Sequence, residues 1–93
     1  MIAFLDEVQT PRNLAELSPG EQCRVVGIAE GGSTRHRLLE MGLTRGAAVQ
    51  MIRVAPLGDP IELQVRGYRL SVRKAEAATV MVEMTTHRHS ISS

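Results

Sequence analysis

The side chains that could carry out catalysis are few and form no recognised arrangement. Cys23 lies in an apolar, β-branched segment, which indicates a small buried residue rather than a reactive nucleophile. Gly31 and Gly32 are not followed by the lysine and hydroxyl residue of a phosphate-binding loop. Glu62 and Glu83 alternate with apolar residues, as surface charges on strands do. We therefore predict that the chain is not an enzyme and holds no cofactor.

Three histidines are the residues of this chain best suited to bind a metal. His87 and His89 place two imidazoles close together in a polar segment, and Glu83 or His36 would have to complete a zinc-like set. Structural zinc sites usually have four ligands at tighter spacing, so a polar tail with incidental metal affinity explains the same residues. We predict no metal site in the domain and keep His87 and His89 as the candidate ligands.

Basic side chains are numerous enough to form a patch on one face. They are Arg35, Arg37, Arg66, Arg69, Arg73 and Lys74. Small barrels do bind RNA, but a net charge of +1 and an aromatic content of 2% supply neither excess charge nor a surface for base stacking. A solvated face or a patch for an acidic protein partner is the simpler interpretation, and we predict no nucleic-acid partner.

Length and composition limit the number of domains, the cellular compartment and the possible link to a membrane. The 93 residues suffice for one small domain, and a hydrophobic content of 43% is typical of a globular protein. Cys23 is the single cysteine, so no intramolecular disulfide can form and we expect a reducing cytoplasm. The N-terminal segment lacks the basic start of a secretory signal, and no stretch reaches the roughly 18 apolar residues that cross a bilayer. Membrane association is therefore expected only through a partner.

Period-two alternation and turn residues predict about five short strands and one short helix. The strands fall within residues 23–29, 49–54, 61–66, 68–73 and 79–84, with a possible bulge at Gly27. The helix covers residues 35–41, with Ser33 or Thr34 as its cap and Leu38 and Met41 facing inward. Five twisted strands bury a common face best as a small, partly open barrel, so the predicted fold class is mainly all-β.

Glycines mark the predicted corners of this barrel. Gly42 ends the helix, Leu43 packs back on Leu38, and Gly46 opens the turn into the next strand. The remaining structural turns are assigned to Gly20, Gly58 and Gly67. Residues 1–13 are a short lead-in and residues 85–93 are polar and aperiodic, so the domain is placed at residues 14–84.

The segment 56–60 is the first candidate for contact with a partner. Pro56 and Pro60 stiffen it around an exposed Leu57, so that little conformational entropy is lost on binding. A rigid hairpin turn with no partner explains the same residues, and both interpretations stay open.

The order of the motifs resembles one known family. The first motifs are Leu14-x-x-Leu17-x-x-Gly20 and Arg37-Leu38-x-x-Met41-Gly42-Leu43-x-x-Gly46. Next come Ala55-Pro56-Leu57-Gly58-Asp59-Pro60-Ile61, Arg66-Gly67-Tyr68-x-Leu70-Ser71-Val72-Arg73 and Glu76-Ala77. In this order and spacing, residues 14–84 resemble the ferrous iron transport protein A (FeoA) family.

This resemblance implies a cytosolic SH3-like barrel, without an established catalytic site, that assists the ferrous-iron permease FeoB. It implies docking to the cytosolic region of the permease, which carries a GTP-binding domain. Our candidate contacts are Arg37, Leu38, Met41, Leu43, Pro56, Leu57, Asp59 and Pro60.

Three alternatives stay open. An arginine such as Arg35 or Arg37 could act on the nucleotide site of the permease rather than only dock. The barrel also resembles the C-terminal domain of iron-dependent repressors, which favours a metal-binding or metal-sensing module as the alternative function. Exposed strand edges could, in addition, pair into a homodimer.

Overall fold

The computed structural model describes residues 12–29 and 31–85. A two-residue strand, β1 (Arg12–Asn13), leads into one 3-10 turn (Leu14–Glu16). The following elements are β2 (Gln22–Ile28), α1 (Gly32–Glu40), β3 (Ala48–Val54), β4 (Ile61–Val65), β5 (Tyr68–Val72), α2 (Lys74–Ala77) and β6 (Val80–Met84).

All strands belong to one antiparallel sheet in the order β1-β6-β2-β3-β4-β5. The predicted class, mainly β with a short helix between the first strands, is confirmed, but the sheet has six strands instead of five and a second, four-residue helix precedes the last strand. The additional strand forms because Arg12 and Asn13 pair with Val82 and Met81. Two residues are too few to show an alternating pattern in the sequence.

The core is aliphatic and lies on one face of the sheet. On β4 the predicted alternation is confirmed, since Ile61, Leu63 and Val65 are buried and the residues between them are not. On β5 the same prediction holds only at one end: Val72 is buried, whereas Leu70 is only partly buried and Tyr68 is 44% exposed. These side chains are less buried because β5 is an edge strand and has no neighbouring strand on one side.

Glycines determine the backbone conformation at one strand irregularity and at five turns. The register of β2 against β6 shifts between Val25 and Gly27, which confirms the predicted bulge. In the loops, the five glycines assigned to turns all have positive φ, from 88° to 104°. These glycines are Gly20, Gly42, Gly46, Gly58 and Gly67.

The start of α1 differs from the prediction. Gly31 is the N-cap and supplies no side-chain hydrogen bond, whereas Ser33 and Thr34 lie inside the first turn. The glycine pair lets the chain turn into the helix two residues earlier than a side-chain cap would allow. Neither hydroxyl residue therefore caps the helix.

The end of α1 is a Schellman motif. Gly42 has φ of 104°, and its N–H donates to the carbonyl of Leu39 (3.0 Å), while the N–H of Leu43 donates to the carbonyl of Leu38 (3.1 Å). Leu38 and Leu43 are both 0% exposed and belong to the same core cluster. The cap thus turns the chain and returns a large side chain to the core.

Tyr68 on the edge strand fixes this corner from the other side. Its hydroxyl donates a hydrogen bond to the carbonyl of Met41. A Cβ at position 42 would overlap that hydroxyl. The corner therefore requires a glycine for space as well as for backbone conformation.

Cys23 is buried in the core, and this burial raises the pKa of its thiol from 9.0 to about 11. The unfolded chain then loses the thiol proton first as the pH rises. We expect the free energy of unfolding to be unaffected by this group below pH 9 and to fall by about 1.4 kcal/mol per pH unit between pH 9 and 11. Urea unfolding of the native chain and of Cys23→Ala across this range measures the effect. Equal slopes in the two proteins would contradict it.

Candidate docking surface

The loop of residues 56–60 joins β3 to β4 and holds Leu57 in solvent. The N–H of Gly58 donates to the carbonyl of Ala55 (2.7 Å), and the N–H of Ala55 donates to the carbonyl of Pro60 (3.0 Å). These bonds close the loop on itself. Leu57 is 95% exposed, the highest value among the large hydrophobic residues in the described part of the chain.

The short helix α2 connects this loop to α1. A carboxylate oxygen of Asp59 accepts a hydrogen bond from the N–H of Lys74 (2.9 Å), at the first residue of α2. Within α2, Glu76 accepts a bond from the N–H of Arg73 (3.0 Å) and forms an ion pair with Arg37 of α1. Arg37 and Asp59, which are far apart in the sequence, are thereby joined through one four-residue helix.

The ion pair of Arg37 and Glu76 fixes the position of α2 against α1 but adds little to the stability of the fold. The arginine side chain is 52% exposed, and solvent-exposed pairs contribute about 0–1 kcal/mol. In the sequence, Glu76 is notable only as part of the Glu76-Ala77 motif. The spacing of Arg73 and Glu76 suits a capping interaction, but nothing in the sequence shows that the same carboxylate also meets α1.

Part of the expected contact surface is corrected by the structure. Leu38 and Leu43 have no exposed surface, because the Schellman motif directs both into the core, and Met41 is half-buried against that core. Leu38 and Leu43 therefore offer no surface to a partner, and Met41 offers only part of its side chain. The remaining candidates are exposed and, with Lys74, form what we call the α2 surface: Arg37, Pro56, Leu57, Asp59, Pro60 and Lys74.

An open depression adjoins the α2 surface. It has a volume of about 310 Å³ and is bordered by Asp59, Pro60 and Arg73. The surface therefore combines a protruding leucine, charges of both signs and a shallow recess. This arrangement suits a protein partner better than a small substrate, because it has no enclosed cavity.

The candidate metal ligands give no site in the described part of the chain. His87 and His89 lie outside the described residues. His36 is on the exposed side of α1, with Nε2 3.1 Å from a carboxylate oxygen of Glu40. Among residues 12–29 and 31–85, no three His, Cys, Asp or Glu side chains are grouped to hold a metal.

No described helix has the length and apolar character needed to cross a membrane.

Comparison with known proteins identifies close relatives of this domain. The family model described as "FeoA domain" matches residues 12–84. A curated relative is the Fe(2+) transport protein A/Fe(2+) transporter FeoB fusion protein of Porphyromonas gingivalis, 37% identical over 71 residues. The match covers 76% of this chain but only 8% of that much longer protein.

Solved structures extend the likeness to the fold. The FeoA-like protein from Clostridium acetobutylicum is 36% identical, with a TM-score of 0.78 over 84% of this chain and 91% of that chain. FeoA of Stenotrophomonas maltophilia, solved with zinc and described as a prokaryotic SH3 domain protein, is 29% identical, with a TM-score of 0.68 over 76% and 88% of the two chains.

A manganese-dependent transcriptional repressor shares the fold alone. It is 13% identical, with a TM-score of 0.75 over 81% of this chain and 37% of that chain. This likeness bears on architecture and says nothing of a metal site in this chain.

Proposed function

Because this chain belongs to the FeoA domain family, we propose that it is a small accessory protein of ferrous iron uptake that docks to the cytosolic part of a FeoB-type permease. The fusion of a related domain to a ferrous iron transporter in Porphyromonas gingivalis carries this proposal. Fusion keeps two domains at high local concentration, which benefits partners that act together. The protein then works in the cytoplasm and reaches the membrane only through its partner.

The α2 surface supplies the contact. Leu57 is the apolar anchor, and the hydrogen bonds that close its loop reduce the entropy lost on binding. The charges of Arg37, Asp59 and Lys74 are exposed on the same surface, which α2 links to the loop of Leu57. Charged groups at an interface set orientation and association rate more than affinity. Docking without catalysis accounts for all of these features.

Two further expectations stay predictions. A metal-sensing role depends on His87 and His89, which the structure does not describe. Homodimer formation would use an edge strand, and β1 and β5 are the two edges of the described sheet.

Replacing Leu57 by serine is expected to weaken binding to the permease by about tenfold to a hundredfold, because burying a leucine contributes about 1.5–3 kcal/mol. Calorimetric titration of the detergent-solubilised permease measures the loss. Val26→Ser is the matched control, since Val26 is another exposed hydrophobic residue and lies in the β2 bulge. Native affinity in Leu57→Ser, or an equal loss of affinity in Val26→Ser, would contradict the assignment.

A further inference from the structure

A second surface lies on the solvent face of the sheet and takes no part in the proposed docking. Strand register places Gln22 opposite Gln50, and Gln50 opposite Gln64. Next to Gln22, the N–H of Thr85 donates to the Gln22 carbonyl (3.2 Å), so Thr85 continues the same row. Three carboxamides and a hydroxyl therefore cross β2, β3 and β4 and the end of β6 side by side.

A row containing two arginines runs beside the carboxamides. Ala48 of β3 lies between them: Arg24 is its partner on β2, and Arg66, which follows the Val49 partner Val65, is next to it at the end of β4. On β6, Glu83 is the partner of Arg24, but the two form no ion pair within the described residues and Glu83 does not line the space between the arginines. Strands are spaced about 4.8 Å apart, which puts the two arginine backbones roughly 10 Å from each other. The short side chain of Ala48 leaves the space between them open.

The two rows enclose an open depression of about 330 Å³. Its lining includes both arginines, Ala48 and all three glutamines. The guanidinium of Arg24 is oriented by one hydrogen bond, from Nη1 to the carbonyl of Gly46 (3.1 Å). Within residues 12–29 and 31–85, the guanidinium of Arg66 and the three carboxamides make no side-chain hydrogen bond or ion pair. Apart from that Arg24 bond, no described residue uses the polar side-chain groups of the two arginines and the three glutamines.

The backbone of Arg66 is an independent sign that this side chain has a use. Arg66 and Gly67 have φ of 49° and 94°, the pattern of a two-residue hairpin turn in which asparagine or glycine normally takes the first position. An arginine in this conformation costs about 1–2 kcal/mol. Residues in such unfavourable backbone conformations are concentrated at functional sites, which suggests a function for Arg66.

We propose that this depression binds an acidic segment of a protein, with a carboxylate held between the guanidiniums of Arg24 and Arg66. Arginine pairs with carboxylates through two parallel hydrogen bonds. Glutamine carboxamides carry both a donor and acceptors, which match the N–H and C=O groups of a peptide backbone. No aromatic side chain lines the depression, so stacked bases have no platform there.

The test uses fluorescein-labelled hexaglutamate and the full chain at low salt, with fluorescence anisotropy as the readout. We expect saturable binding that the double variant Arg24→Gln/Arg66→Asn weakens by at least tenfold. Asparagine is chosen at position 66 because it tolerates the turn conformation, so that the hairpin is retained. The control Arg35→Gln/Arg53→Asn removes the same charge from other exposed positions and should bind like the native chain.

A third variant separates a shaped site from general charge attraction. Ala48→Met fills the depression without changing any charge, and we expect it to weaken binding by at least tenfold as well. Equal losses in the two double variants, native affinity in Ala48→Met, or no saturable binding would each overturn the proposal. Tighter binding of a single-stranded RNA of equal charge would also overturn it. None of these outcomes bears on the α2 surface, so the docking proposal is judged separately.

Discussion

Replacing Gly42 by alanine is expected to lower the free energy of unfolding by about 1.5–3.5 kcal/mol. Alanine at φ of 104° costs about 1–2 kcal/mol, because the left-handed region is unfavourable for residues with a Cβ. The new methyl group must also displace the Tyr68 hydroxyl, which loses a hydrogen bond worth about 0.5–1.5 kcal/mol. Urea unfolding followed by circular dichroism measures the change.

The two causes can be separated with matched variants. Gly58 has a similar φ of 92° but open space where a Cβ would be, so Gly58→Ala reports the backbone cost alone. In a Tyr68→Ala background the clash is absent, and Gly42→Ala should then cost no more than Gly58→Ala. If Gly42→Ala and Gly58→Ala destabilise the native background equally, the role assigned to Tyr68 is wrong.

Replacing Leu38 by alanine is expected to cost about 2–5 kcal/mol of stability, because this side chain is fully buried and its removal leaves a cavity. The affinity of the folded protein for the permease should change little, since Leu38 offers no surface to a partner. Leu57→Ala should give the opposite result: unchanged stability and weaker binding. Denaturant unfolding and calorimetric binding, measured on both variants, test this pair of expectations.

The Leu38 experiment decides between a structural and a binding role for the helix corner. Binding is measured at low temperature, where Leu38→Ala keeps enough folded protein, and the folded fraction is taken from the unfolding curve. A loss of affinity in Leu38→Ala as large as that in Leu57→Ala would show that the corner itself contacts the permease. Leu38 would then belong to the binding surface as well as to the core.

Much of the fold could be predicted because local patterns determine it. Alternation on β4 and the glycine after α1 each define an element within a few residues. The errors arise where tertiary neighbours determine the outcome. β1 is too short for a pattern, and Tyr68 of β5 is exposed because that strand lies at an edge of the sheet. Ser33 has the right chemistry for a cap, but the preceding glycine pair starts the helix earlier.

The candidate surface was only partly predictable. The prolines around Leu57 indicate a stiff, exposed loop, and the structure places that leucine in solvent. An apolar residue such as Leu43 suits both a core and a contact surface, so the sequence alone could not assign it. The link from Arg37 through Glu76 to the loop depends on tertiary packing between distant segments, for which the sequence carries no local signal.

The pairing of the first strand with the last has a consequence for how such a domain can be joined to other proteins. Because β1 and β6 are antiparallel neighbours, with Arg12 opposite Val82, the chain enters and leaves the described sheet at the same corner. A host protein could therefore accept the domain as an insertion between two nearby points, with a small loop-closure cost. No strand pairing would have to change. The same sheet is equally suited to act as a separate protein, as a terminal module or as an inserted one.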